Sequence, residues 1–131
     1  MNNFIFENSS KVYFGEGCVK EYLSNILSAY GDTVMLCYGG GSIKKNGIYD
    51  EVITVLKKEN KAVVEFSGIP SNPTYSKVLE GVKLAKESNA DLILAVGGGS
   101  VMDCCKAISL GAKYDGDIWA DFWARPGVID F

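Results

Sequence analysis

The tetrapeptide Gly-Gly-Gly-Ser occurs twice, as Gly39-Gly40-Gly41-Ser42 and Gly97-Gly98-Gly99-Ser100, each time directly behind an apolar run and ahead of a segment with helical periodicity. Apolar runs without polar alternation, here Thr33–Tyr38 and Asp91–Val96, read as strands buried on both faces of a parallel sheet. At the carboxyl end of such a strand, the start of the next helix offers unpaired N–H groups and partial positive charge to an anion. Glycine lets that backbone come close to phosphate oxygens, which a Cβ would hold away. The pair of triplets therefore constrains both the architecture and the ligand class.

The rest of the chain fills in the alternation. Val19, Leu23, Ile26 and Leu27 recur at helical spacing before Gly31-Asp32. A second helix is marked by Ile48, Val52, Ile53, Val55 and Leu56, with Lys57, Lys58 and Lys61 at the end where cations suit the helix dipole. Ala62–Phe66 reads as a strand, and the turn formers of Ser67–Pro73 as a loop that could carry function. Tyr75, Val78, Leu79, Val82, Leu84 and Ala85 mark a third helix, and Ala107, Ile108 and Leu110 a last one. Strands alternating with amphipathic helices predict an α/β fold, a Rossmann-like parallel sheet with helices on both faces. Two short runs, Phe4–Phe6 and Lys11–Phe14, flank a polar turn and predict an N-terminal β-hairpin within residues 1–15.

Composition removes several function classes. With 131 residues the chain suits one core, and 13 basic against 16 acidic residues give a net charge of −3, which argues against a nucleic-acid partner. The opening residues show no secretory signal, and the longest near-apolar stretch, Leu92–Met102, is too short to span a bilayer, so no membrane partner and a cytoplasmic location are expected. Four cysteines without a CxxC spacing read as reduced thiols. Histidine is absent, which excludes Ser-His-Asp and Cys-His devices and the usual His-containing metal sites. Any chemistry must come from carboxylates, lysines, tyrosines, backbone amides or a cofactor.

The two turns differ downstream. Ser100-Val101-Met102-Asp103 has the form of a capping box, while Asp103 also suits ribose hydroxyls better than phosphate, and the two roles can coexist. Lys44 and Lys45 follow the first triplet with no acid beside them, which leans toward a 2′-phosphate and hence NADP; the plain alternative is a solvated helix face. Neither triplet matches G-x-G-x-x-G, and no Walker-type G-x-x-x-x-G-K-[ST] occurs.

Tyr38-Gly39-Gly40-Gly41-Ser42-Ile43-Lys44-Lys45-Asn46-Gly47, Gly68-Ile69-Pro70-Ser71-Asn72-Pro73 and Leu94–Asp103, together with Asn3-Phe4 and Val12-Tyr13-Phe14-Gly15, resemble the N-terminal domain of the iron-containing (group III) alcohol dehydrogenases. The NADP-type butanol dehydrogenase subgroup is the nearest in pattern. The resemblance implies a nicotinamide dehydrogenase interconverting primary alcohols and aldehydes, with Gly97, Gly98, Gly99 and Ser100 on the pyrophosphate and Gly39, Gly40, Gly41 and Ser42 near the adenosine ribose. It adds Asn72 and Asp103 to the cofactor-binding set, although Ser71 stands where the family usually has proline. Family members preferring NAD tend to carry an acid where Gly39 stands, so NADP is expected and NAD remains possible.

The same resemblance implies that residues 1–131 are a dinucleotide-binding domain with no catalytic residue and no metal ligand in this chain. The family's iron or zinc is held by an aspartate and histidines of a helical second domain, none of which occurs before Asp130-Phe131, so the chain alone is expected to be inactive. An apolar tail over 118–131, rich in Trp119, Phe122 and Trp123, is either a last helix packed on the sheet or a face for that second domain. A homodimer or other self-association through the N-terminal hairpin is implied as well. Two alternatives remain: a glycerol-dehydrogenase-like or dehydroquinate-synthase-like relative, and a nucleotide-free flavodoxin-like interaction module in which both triplets only start helices.

Overall fold

The computed structural model describes residues 3, 5 and 7–123. Three parallel strands, β1 (Thr33–Tyr38), β2 (Ala62–Phe66) and β3 (Leu92–Val96), form one sheet in the order β2-β1-β3. Central β1 pairs Cys37 with Phe66 on one side and Tyr38 with Val96 on the other. Its alternate side chains feed two cores: Val34, Leu36 and Tyr38 on one face, Met35 and Cys37 on the other. That two-sided burial is why β1 carries no polar residue after Thr33.

Helices α1 (Cys18–Leu27), α2 (Ser42–Lys45) and α3 (Ile48–Lys58) cover the first face through Leu27, Ile43, Val52, Val55 and Leu56. Helices α4 (Tyr75–Ser88) and α5 (Gly99–Ala112) cover the second through Val78, Val82, Cys104 and Ile108. Each fully buried aliphatic side chain here, such as Leu36, Leu56 or Ile108, contributes about 1.5–3 kcal/mol of burial. Helices α4 and α5 pack closely because glycine stands at their contact. A Cβ at Gly81 would lie 2.3 Å from Ile108 Cδ1, and one at Gly111 would lie 2.6 Å from Val82 Cγ2.

Helix ends follow local chemistry. Thr74 caps α4, its hydroxyl accepting the Lys77 N–H over 3.2 Å, and Asn89 ends the helix in the left-handed region at φ 50°. Lys61 closes the turn after α1, its ammonium donating to the carbonyls of Tyr30 and Gly31, each over 3.0 Å.

The order β2-β1-β3 makes the chain step outward from β1 to β2 and then cross over to β3 on the opposite edge. The connection leaving β1 enters the face of α2 and α3, whereas the one leaving β3 enters the face of α5. The carboxyl ends of β1 and β3 are therefore a topological switch point, where open α/β sheets form their ligand crevice.

One expectation of the fold needs correction. No strand forms among the described residues of the opening segment, so the hairpin expected within 1–15 is not formed over Lys11–Phe14; Phe4 and Phe6 lie outside the described residues. Val12 is 85% exposed and Phe14 99% exposed, and among the described residues no strand of this segment pairs with β2 or β3. At the other end, the chain forms a π-helical turn at Trp119–Trp123, and residues 124–131 of the expected apolar tail lie outside the described residues. Ile118 is buried in the α4 and α5 core, while Trp119 is half-exposed with its ring 5.5 Å from that of Tyr75.

Candidate functional site

Tyr38 and Val96 are paired neighbours, so the two glycine triplets leave the sheet side by side. Within each triplet the first glycine answers to the fold. Gly97 has φ 155°, and a Cβ there would lie 2.8 Å from Val101 Cγ2; a Cβ at Gly39 would lie 3.1 Å from the Ile69 carbonyl oxygen. The other four glycines do not. Gly40, Gly41, Gly98 and Gly99 all lie outside the left-handed region, and a Cβ on any of them would meet no protein atom within 4 Å. Glycine costs about 1 kcal/mol relative to alanine at a helical position such as Gly99. Nothing among the described residues explains that cost, and the open space at four adjacent turn positions is the shape of a cradle for an external group.

The donors suit an anion. Helix α5 begins at Gly99, with Gly98 as its cap, and its first internal bonds run from the N–H groups of Val101 and Met102 to the Gly98 carbonyl. The amides of Gly99 and Ser100 precede any helical acceptor, at the positive end of a 14-residue helix. Because the helix starts that early, the capping box expected at Ser100–Asp103 does not form. Ser100 already lies inside the first turn, and its hydroxyl instead donates to the Ser71 carbonyl.

That bond brings in the Ser67–Pro73 loop. The loop is also tied to the end of β1, where the Gly68 N–H donates to the Gly39 carbonyl over 2.8 Å and the Ile69 N–H to the Tyr38 carbonyl over 3.3 Å. Buried Ile69 pins it down, and Asn72 is exposed beside Ser71. Gly39, Gly40, Gly41, Ser42, Asn72, Gly97, Gly98, Gly99 and Ser100 are thus gathered at one edge of the sheet. Asp103 is exposed one turn further along α5, on a cleft of about 230 Å³ that it lines with Thr74, Tyr75, Cys104 and Trp119.

Beside the first triplet, Lys44 does not simply face solvent. Its ammonium lies 4.8 Å from the ring centre of Tyr49 and 5.5 Å from that of Tyr38. The Tyr49 hydroxyl donates to the Glu65 carboxylate, and this bond pushes its pKa up to about 12. Sequence reading missed the Tyr49 and Glu65 pair. The available signal was Glu65 breaking the otherwise apolar strand Ala62–Phe66 on the face that α3 covers.

Cys37, Cys104 and Cys105 are buried in the core between the sheet and α5, and Cys18 is partly exposed; all four are free. The hydrogen bond with Cys105, then burial, pushes the Cys37 thiol far above the ordinary range, and burial raises that of Cys104. Among the described residues no group of three or more His, Cys, Asp or Glu side chains is placed to hold a metal ion, and no helix is long and apolar enough to cross a membrane.

The sequence profile of the iron-containing alcohol dehydrogenase family matches residues 9–129. The chain is 54% identical over 119 residues to "Probable NADH-dependent butanol dehydrogenase 1" of Bacillus subtilis, covering 91% of this chain and 30% of that protein. It is 40% identical over 118 residues to the NADPH-dependent aldehyde reductase YqhD of Escherichia coli, covering 90% and 30%. The crystal structure of NADH-dependent butanol dehydrogenase A from Thermotoga maritima superposes with a TM-score of 0.83 at 46% identity, over 92% of this chain and 30% of that one. The chain therefore spans about 30% of the length of these relatives. On the match over 9–129 and the shared parallel α/β architecture, this chain belongs to the iron-containing alcohol dehydrogenase family.

Proposed function

We propose that residues 1–131 are the dinucleotide-binding domain of a dehydrogenase that interconverts primary alcohols and aldehydes, taking NADP(H) in preference to NAD(H) and holding no catalytic residue itself. The observation that carries this reading is the set of four glycines, Gly40, Gly41, Gly98 and Gly99, with neither a left-handed backbone nor an internal contact to require them, at the switch point of the sheet.

When bound, the nicotinamide carries the hydride. This chain's residues bind and orient it. The amides at Gly98, Gly99 and Ser100 receive the pyrophosphate without a side chain between, and the dipole of α5 favours its charge. Asp103, exposed one turn on, accepts hydrogen bonds from ribose hydroxyls. Asn72 borders the same turn through the tie between Ser71 and Ser100. Gly39, Gly40, Gly41 and Ser42 receive the adenosine ribose, and Lys44 and Lys45 neutralise its 2′-phosphate.

The names of the relatives include both NADH and NADPH, so the preference for NADP rests on those cations and on the lack of an acid within the turn. The iron in the family's name, or zinc in its place, has no fitting ligand set among the described residues. Self-association, as a homodimer, is supported by the exposed apolar side chains Ile5, Val12 and Phe14, and a cytoplasmic setting by four free cysteines.

Calorimetric titration with NADPH and NADH tests the reading, with tighter binding of NADPH expected. Equal or NADH-favouring affinity removes the 2′-phosphate site, and binding of neither dinucleotide leaves the interaction-module reading. Asp103→Asn is expected to weaken binding at unchanged thermal stability, since an amide has fewer lone pairs to offer a ribose.

A further inference from the structure

We propose that Tyr49 is a positioning residue for cofactor discrimination, its ring holding the Lys44 ammonium where an adenosine 2′-phosphate is bound. The inference rests on the NADP reading above and goes beyond it by naming what fixes the cation. A lysine on a solvated face samples many rotamers and presents a diffuse charge. Lys44 is restrained instead, its ammonium 4.8 Å from the Tyr49 ring centre and 5.5 Å from that of Tyr38, and it makes no ion pair among the described residues.

The two rings are themselves fixed. Tyr38 is the last residue of β1 and is buried, so its position is set by the central strand. Tyr49 meets it edge-on with ring centres 5.7 Å apart, and the far end of Tyr49 is anchored on β2 by its hydrogen bond to Glu65. Lys44 thus reaches from the turn after β1 onto a platform supported by two neighbouring strands. Its charge has no carboxylate partner among the described residues and remains available to an anion at the adjacent Gly39–Ser42 turn. Tyr49 lies in the first turn of α3 and is separated from that turn by α2, so it acts on the ligand only through Lys44.

The test is the ratio of NADPH to NADH affinities, measured by calorimetry on the 131-residue chain, with a thermal melt on each variant. Tyr49→Leu is expected to lower the ratio about two- to fivefold, the size of an exposed cation–π contact, with NADH affinity unchanged. Tyr49→Phe keeps the ring and is expected to keep most of the ratio. Lys44→Gln, at an exposed position, is expected to lower the ratio about tenfold, and adding Tyr49→Leu to it to lower it no further. A wild-type chain that prefers NADPH together with a Tyr49→Leu chain that keeps the ratio overturns the role of Tyr49 alone. So does a Tyr49→Phe chain that falls as far as Tyr49→Leu, or additive effects of the two substitutions. A wild-type chain with no preference overturns the NADP reading and this inference together.

Discussion

The Gly68 N–H donates to the Gly39 carbonyl over 2.8 Å, so the loop after β2 is stitched to the first glycine turn at the end of β1. The same approach puts the Ile69 carbonyl oxygen 3.1 Å from where a Cβ on Gly39 would sit. A side chain at Gly39 must therefore displace the loop that also meets Ser100 through Ser71.

Gly39→Asp is expected to shift preference toward NADH, by repelling a 2′-phosphate and offering an acceptor to a bare ribose, and to cost about 1 kcal/mol through the Ile69 contact. Gly40→Asp brings the same charge into open space and should shift preference without that cost. Affinity ratios and melting temperatures of the two variants separate the effects. An unchanged ratio in both would place the adenosine elsewhere.

Gly97→Ala and Gly81→Ala should destabilise by about 1–3 kcal/mol each, for different reasons. At Gly97 the backbone has φ 155° and a Cβ would press on Val101; at Gly81 it would drive Ile108 out of the contact between α4 and α5. Denaturant unfolding reads both, and a wild-type midpoint for either would contradict the packing described here.

Much of this was legible in the sequence because it rests on local pattern. The apolar run marked β1 to the residue, since a strand buried on both faces tolerates no polar interruption and ends where glycines begin, and Ala62–Phe66 marked β2 although Glu65 interrupts it. The opening hairpin was misread because a β-prone run such as Lys11–Phe14 reports a capacity to pair, and no described strand pairs with it. The Ser100–Asp103 cap was misread because the motif is silent about helix start: Gly98 takes the cap position and frees the Ser100 hydroxyl for Ser71. The bond between Tyr49 and Glu65 joins different elements, which no one-dimensional period encodes.

Thiol reactivity follows burial. In the native chain a thiol reagent should label Cys18 readily and reach Cys37, Cys104 and Cys105 only on unfolding, because enclosure disfavours the reactive thiolate at Cys37 and Cys104 and shields Cys105. Fast labelling of more than one thiol in native buffer would contradict the placement of α5 against β1.

Alkaline titration should find Tyr49 ionising at about 12, held up chiefly by its hydrogen bond to Glu65. In the unfolded chain the same phenol ionises near pH 10, so the bond's contribution to stability is fully present below about pH 10 and is lost as pH rises through about 12. Glu65→Gln should return that transition toward the ordinary tyrosine value. A spectrum in which Glu65→Gln changes no tyrosine transition would contradict the pairing.

The central claim is that the unexplained glycines make room for a dinucleotide. It is tested most directly by calorimetric titration of NADPH into wild type, Gly98→Ala and Gly99→Ala, each melted in parallel. A methyl group at either position meets no protein atom, and at Gly99 it lies in helix α5, where alanine is the better helix former. Both variants should melt at or above the wild-type temperature and bind NADPH about tenfold or more weakly, as expected when backbone amides are held off the pyrophosphate. Wild-type NADPH affinity in both variants would contradict the account and reduce the second triplet to the start of a helix.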